Sequence, residues 1–153
     1  MELLADHPQL VAEVGEMRWR EWGDEPGREG LSPWVDITAR EAGRHAMPVS
    51  WVAVDEAGGA VGVVGLGRFD VEERRDRSPW VLGMVVRPAG RRQGVGRLLL
   101  DRLAEFAAEL GYSQVWVATG GPAVGFYRRC GYEETERLPV SGGDEAVILT
   151  RRL

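Results

Sequence analysis

The sequence predicts an α/β fold: a mixed, mostly antiparallel sheet with helices packed against it. Three observations carry this. Strand-like and helix-like segments alternate through the middle of the chain. Hairpin signals stand towards both ends. The length of 153 residues, with 44% hydrophobic and 28% charged content, suits one domain, 1–153, able to bury a core of ordinary size.

Taken in order, Asp6-His7-Pro8 offers a polar cap and a proline for a first helical turn, and Leu10, Val11, Val14 and Met17 recur at helical spacing until Gly23. The Gly- and Pro-rich stretch 24–33 reads as a loop, followed by a short helix over 34–42 that ends at Gly43. Residues 49–55 have the β-branched content of a strand, 56–59 (Glu-Ala-Gly-Gly) form a hairpin turn, and 60–69 return as a strand thinned by glycines. The charged segment 70–77 is a loop, and 80–86 (Trp-Val-Leu-Gly-Met-Val-Val) is a buried strand stopped by Pro88. After an Arg- and Gly-rich loop over 87–93 comes an amphipathic helix. It places Leu99, Leu103, Phe106 and Leu110 on one face, with Asp101, Arg102, Glu105 and Glu109 elsewhere, and Gly111 closes it. Residues 114–118 form a strand, Gly120-Gly121-Pro122 punctuates, and 122–130 suits a short helix ended by Gly131. Residues 140–152 close a terminal hairpin with Gly142-Gly143 at its turn.

Composition removes several function classes. No apolar run approaches the ~18–20 residues that cross a bilayer. The first residues, Met1 to Asp6, lack the basic and apolar regions of a secretory signal, so no membrane partner and a cytoplasmic location are expected. A lone cysteine, Cys130, cannot form an intramolecular disulfide. With only His7 and His45 beside it, no metal site is expected, and both histidines read as structural or exposed. A net charge of −5 argues against a nucleic-acid partner. All 19 basic residues are arginine, and lysine and asparagine are absent. Five of those arginines (87, 91, 92, 97 and 102) stand against Asp101 alone between positions 87 and 102. Such a run is either a solvated helix face or an anion site.

Its surroundings favour the anion site. Arg91-Arg92-Gln93-Gly94-Val95-Gly96 lies between a buried strand and a long helix. A helix N-terminus presents free N–H groups and the positive end of a dipole. Glycine lets a phosphate approach the backbone, and arginine adds charge-assisted hydrogen bonds. A Walker A loop is excluded because there is no lysine, and Leu99 stands where a dinucleotide fingerprint needs its third glycine. About thirty residues further on comes Gly125-Phe126-Tyr127-Arg128-Arg129-Cys130-Gly131-Tyr132. These two blocks, with Val86-x-Pro88 before the first, resemble the GNAT superfamily of N-acetyltransferases. The resemblance covers 80–132 in detail and the rest in the order of elements. The start of the chain, with Glu21-Trp22-Gly23, is similar to small bacterial members described as aminoglycoside-acetyltransferase-like.

The resemblance implies a sheet splayed between the fourth and fifth strands, helices on both faces, and acetyl-CoA as co-substrate in the gap. It implies cofactor contacts from Met84, Val85, Val86, Arg91, Arg92, Gln93, Gly94, Val95 and Gly96, with Gly120, Phe126 and Arg129 beside them. The Val86 N–H would polarise the acetyl carbonyl, and Tyr127 would be the general acid that protonates the departing thiolate. Cys130 would not be a nucleophile, because the transfer is direct. Two positions depart from the family pattern. Gly120 stands where many relatives carry asparagine, and no carboxylate lies between Trp80 and Val86 where some carry a glutamate base. Water, Asp70, Glu73 or Glu25 remain as proton acceptors.

The implied acceptor is a primary amine of a small molecule or peptide, met by Trp22, Asp24, Glu25, Trp34 and Asp70 within a wider set that includes Glu16, Trp19 and Glu21. Acids beside aromatics suit a cation. Equally, Trp19 and Trp22 would pack their helix on the sheet while the acids face solvent. A homodimer is a further candidate. The alternatives are a catalytically silent acyl-CoA-binding module acting as sensor or scaffold, and a phosphate- or nucleotide-binding domain.

Overall fold

The computed structural model describes residues 1–25, 27–140 and 145–153. In chain order these form β1 (Glu2–Leu3), α1 (Val11–Trp22), α2 (Leu31–Arg40), β2 (Val49–Val54), β3 (Ala60–Gly67), β4 (Trp80–Val86), α3 (Val95–Glu109), β5 (Gln114–Thr119), α4 (Ala123–Arg129), β6 (Glu133–Pro139) and β7 (Glu145–Arg152). The strand order is β1-β2-β3-β4-β5-β7-β6. Pairs β1/β2, β2/β3, β5/β7 and β6/β7 are antiparallel and β4/β5 is parallel, so the sheet is mixed and mostly antiparallel, as expected. Among the described residues β4 and β5 pair at one register position, Trp80 with Trp116.

The chain divides into two compact units. Unit 1 holds Met1–Leu66 and Gly83–Leu103; unit 2 holds Gly67–Leu82 and Ala104–Leu153. Strand β4 passes from one to the other between Leu82 and Gly83.

In unit 1 the helical spacing of α1 is realised as packing. Val14 and Met17, with Leu4 and Leu10 ahead of the helix, close on Val52, Ala60, Val63 and Val85 from the sheet. The first half of α3 adds Leu99, Leu100 and Leu103, all fully buried. Each such leucine contributes about 1.5–3 kcal/mol through the area it removes from water. Leu99 reaches the sheet because β3 has no side chain at 62: a Cβ there would stand 3.1 Å from its Cδ1.

Unit 2 is built on Trp80, Trp116 and Ile148, the two indoles 6.1 Å apart, with Val71, Leu82, Ala118 and Leu138 around them. Arg77 lies 4.6 Å over the Trp116 ring. The Arg74 guanidinium meets Glu136 of β6 in a two-pronged pair, 2.7 Å at each prong, and Arg77 binds the same carboxylate. These bonds, that of Arg74 foremost, hold the Glu136 carboxyl down at about 2. The charged segment expected as a plain loop is therefore clasped to β6.

Several boundaries differ from the expectation. Asp6-His7-Pro8 does not open α1. It lies in two short 3₁₀ turns, Leu4–Asp6 and Pro8–Leu10, with His7 in a non-helical conformation between them. Helix α2 begins at Leu31 rather than 34, because Gly30 at φ 85° ends the loop and Pro33 falls within the first turn, where its missing N–H is harmless. Leu110 is exposed, not on the buried face, since α3 ends at Glu109 and the chain turns away at Gly111; Ala107 is the last buried position of the stripe. Strand β1 was not anticipated, because two residues carry no periodicity. The expected turn at Gly142-Gly143 lies outside the described residues. No helix among the described residues is long and apolar enough to cross a membrane.

Candidate active site

In unit 1, β4 leads into a 3₁₀ turn, Pro88–Gly90, closed by Gly90 N–H donating to the Arg87 carbonyl at 2.9 Å. Loop 91–94 then delivers the chain to α3. It contains two left-handed residues, Arg92 at φ 63° and Gly94 at φ 80°. The Leu98 N–H donates to the Gly94 carbonyl at 3.1 Å and so starts the α3 ladder. The N–H groups of the first helical turn have no acceptor within the helix, and the dipole there is positive. Around Gly94 the space is open, with nothing within 4 Å of a Cβ built on it. Arg91, Arg92, Gln93 and Gly94 are exposed, Val95 is half-buried and Gly96 is buried. Arg91 donates from Nε to the Val86 carbonyl at 3.0 Å and pairs with Glu21 at 3.3 Å. Gln93 donates to the Ala89 carbonyl at 3.1 Å. Met84 and Val86 are half-buried, whereas Val85 is committed to the core, which leaves only its backbone for a ligand.

The residues expected to face an acceptor divide. Trp22 and Trp34 stack, with centroids 6.0 Å apart, and Trp34 donates from Nε1 to the Arg28 carbonyl at 3.0 Å. Trp34 is buried and Trp22 half-buried, so part of this pair is packing. Asp24 and Glu25 are exposed, and Glu25 pairs with Arg28, which also lies 5.5 Å over Trp34. Trp19 is on the surface and Glu16 pairs with Arg20.

One unit 1 residue escaped the sequence reading. Arg18 is 1% exposed; its Nε donates to the Gly83 carbonyl at 3.0 Å, and its Nη1 meets Thr38 Oγ1 and Glu41 Oε1, each at 3.2 Å. Burial lowers its pKa, and Glu41 opposes that. The signal was its spacing: Arg18 follows Val14 by four residues, on the face that is buried.

In unit 2, α4 explains the second sequence block. Gly131 at φ 93° donates to the Arg128 carbonyl at 3.1 Å, and Tyr132 N–H donates to the Tyr127 carbonyl at 3.0 Å. This is a Schellman cap with Tyr127 and Tyr132 as its apolar pair, and their rings meet edge to face at 5.3 Å. Phe126, half-buried, meets Tyr127 in the same way at 5.3 Å. Tyr127 is 5% exposed, and burial, followed by Tyr132, Cys130 and Asp70, pushes its phenol well above the ordinary value of 10. The phenol stays protonated at any ordinary pH. Gly120, Arg129 and Asp70 are exposed, and Cys130 is buried at the cap. No group of three or more His, Cys, Asp or Glu able to hold a metal occurs among the described residues.

A family model described as an acetyltransferase (GNAT) domain matches residues 48–134, more than half of the chain, taking in both the 91–96 loop and the capped helix. The chain belongs to the GNAT acetyltransferases. The GNAT fold recurs in solved structures. One is an aminoglycoside 6'-N-acetyltransferase complexed with coenzyme A, 15% identical, TM-score 0.78, covering 95% of this chain and 91% of that one. Another is the aminoglycoside 6'-N-acetyltransferase from Enterococcus faecium, 15% identical, TM-score 0.75, with the same coverage. A nourseothricin acetyltransferase is 26% identical, TM-score 0.58, over 68% of this chain and 64% of that one. No curated protein matches the sequence.

Proposed function

We propose that residues 1–153 act as one acetyltransferase domain that moves an acetyl group from acetyl-CoA to a primary amine by direct attack. The observation that carries this is the family match across 48–134, which takes in the open, arginine-flanked helix start and the capped tyrosine helix. Acetyl-CoA brings the acetyl group already activated as a thioester. The structure fits its pyrophosphate at one point in particular: Gly94 leaves open space ahead of the α3 N-terminus, with Arg91 and Arg92 exposed beside it. Arg91, Arg92 and the backbone of 93–96 would hold the phosphates. The backbone of Met84 and Val86 would hold the pantetheine end, with the Val86 N–H on the thioester oxygen.

Tyr127 acts as the acid. Its burial keeps the proton on the phenol at neutral pH, available to a departing thiolate. Strand β4 carries no carboxylate to act as base, so the amine's proton leaves through water or an exposed carboxylate. A cationic amine suits the Trp22–Trp34 pair with Asp24 and Glu25 nearby in sequence. Aminoglycosides, named for two of the structural neighbours, are amines of this class.

The test is binding followed by turnover. Acetyl-CoA should raise the unfolding temperature while ATP does not, and a panel of amines should release free CoA. Reversing the charge of Asp24 and Glu25 should raise KM for the amine and leave KM for acetyl-CoA unchanged. Absence of acetyl-CoA binding would sink the reading. Binding without turnover on any amine would favour the silent acyl-CoA module.

A further inference from the structure

Arg18 is the only charged side chain among the described buried residues. A guanidinium removed from water needs acceptors for its donors. Here Nε and Nη1 find them, while Nη2 is buried without one. Packing α1 on the sheet does not call for a cation: Val14 and Met17, on the same face, are apolar. The interaction that sets Arg18 apart is its reach to β4.

Gly83 sits in the middle of β4 at φ 50°, where a regular strand residue has a φ near −120°. The left-handed step takes the strand out of its regular course at this residue, and the Gly83 carbonyl receives Arg18 Nε–H from the helix layer instead. The fit is mutual. A Cβ at 83 would fall 2.8 Å from Arg18 Cζ, Nε and Nη2, so the guanidinium can lie against the strand only where there is no side chain. Thr38 and Glu41, from α2 and its end, hold the far side of the guanidinium. The next three residues, Met84 to Val86, are the backbone assigned above to the thioester end of acetyl-CoA.

We propose that Arg18 is a positioning residue: by holding the left-handed step at Gly83 it aims the Met84–Val86 backbone at the pantetheine and thioester. The proposal rests on the acetyl-CoA reading of β4. It separates the two ends of the ligand by where Arg18 acts: its bond to β4 is at Gly83, ahead of Met84–Val86, whereas loop 91–96 meets β4 and α1 through Arg91, at the Val86 carbonyl and Glu21.

Calorimetry with two ligands tests it: acetyl-CoA, and 3′-phospho-ADP, which keeps the phosphates and lacks the pantetheine arm. Arg18→Met should weaken acetyl-CoA on the order of tenfold to a hundredfold, the scale of one or two backbone hydrogen bonds to the ligand, and leave 3′-phospho-ADP unchanged. Arg18→Lys, which can still donate to the carbonyl, should recover most of the loss. Because Arg18→Met strands Glu41, the double variant Arg18→Met/Glu41→Gln runs beside it and should show the same selective loss. Wild-type affinity for acetyl-CoA in folded Arg18→Met or in the folded double variant would overturn the proposal. So would equal loss of both ligands, or unfolding of all three Arg18 variants, since either would mark Arg18 as purely structural. A wild-type chain that binds neither ligand would overturn the cofactor reading itself, and this proposal with it.

Discussion

Replacing Tyr127 by phenylalanine deletes one oxygen from a ring that is 5% exposed and held edge to face by Phe126 and Tyr132. The ring contacts and the Schellman cap involve the aromatic carbons and the main chain, so they survive. Losing a hydroxyl in such a place changes stability by about 0.5–1.5 kcal/mol, a few degrees at most in a domain of this size. The kinetic effect should be much larger. A positioned general acid contributes about 10²–10⁴-fold, or roughly 2.7–5.4 kcal/mol of barrier. The loss should appear equally in kcat and kcat/KM, with acetyl-CoA affinity intact, as for an interaction made only in the transition state. Release of free thiol in single-turnover reactions measures it. A thioester with a more acidic leaving thiol should partly rescue the variant.

The raised phenol pKa adds a signature in stability. An unfolded tyrosine ionises near pH 10, while the native one holds its proton beyond that. Above pH 10 the native state therefore binds more protons than the unfolded state, and stability falls with rising pH. In Tyr127→Phe that share of the fall should vanish. Near wild-type kcat in the variant, with chemistry rate-limiting, would refute the role and leave Tyr127 as a packing residue.

Further outcomes follow from the two units separately. Gly94→Asp should abolish acetyl-CoA binding by calorimetry, because it sets an anion in the open space before α3; the left-handed φ of 80° adds a cost of about 1 kcal/mol to folding. Unchanged affinity would remove the phosphate assignment. Glu136→Gln should lower the unfolding temperature at neutral pH. The native carboxyl titrates at about 2 against an ordinary 4.5, so its contribution is present above pH 4.5 and is lost as pH falls towards 2. The wild-type advantage over the variant should shrink across that window, and equal melting at pH 6 would show the Arg74–Glu136–Arg77 clasp to be idle. Leu99→Ala should cost about 2–5 kcal/mol in denaturant unfolding, since Leu99 is fully buried.

Much of the fold was legible because its signals are local. Strand β4 is an apolar run between a charged loop and a proline, and α3 and α4 each end on a left-handed glycine that the sequence announces. The motif Phe126-Tyr127 to Gly131-Tyr132 could be read as family likeness, and its physical content is the C-cap that the five residues after Tyr127 build. Arg18 could not be read in this way. Its partner Gly83 is 65 residues away, and glycine inside a β-branched run announces thinning rather than a reversed φ. Trp34 was equally opaque as a candidate contact. A tryptophan just after a Gly- and Pro-rich stretch looks available, yet Trp34 is buried against Trp22 and tied to the Arg28 carbonyl. The clasp of segment 70–77 to β6 also joins residues some 60 positions apart, so from the sequence the segment reads as a loop with candidate proton acceptors at Asp70 and Glu73.

The pairs of Arg18 with Glu41 in unit 1 and of Arg74 and Arg77 with Glu136 in unit 2 are guanidinium pairs, and the chain has no lysine at all. A guanidinium keeps its proton far above physiological pH and offers no lone pair to a thioester. The protein therefore has no side-chain amine to compete with its acceptor, and incubation with acetyl-CoA alone should add no 42 Da increments (about one acetyl each) to its side chains in intact-mass spectra. Amine-directed dyes and cross-linkers should likewise find no lysine to attack, so any label on the chain in an acceptor screen would report on its α-amino group rather than on a side chain.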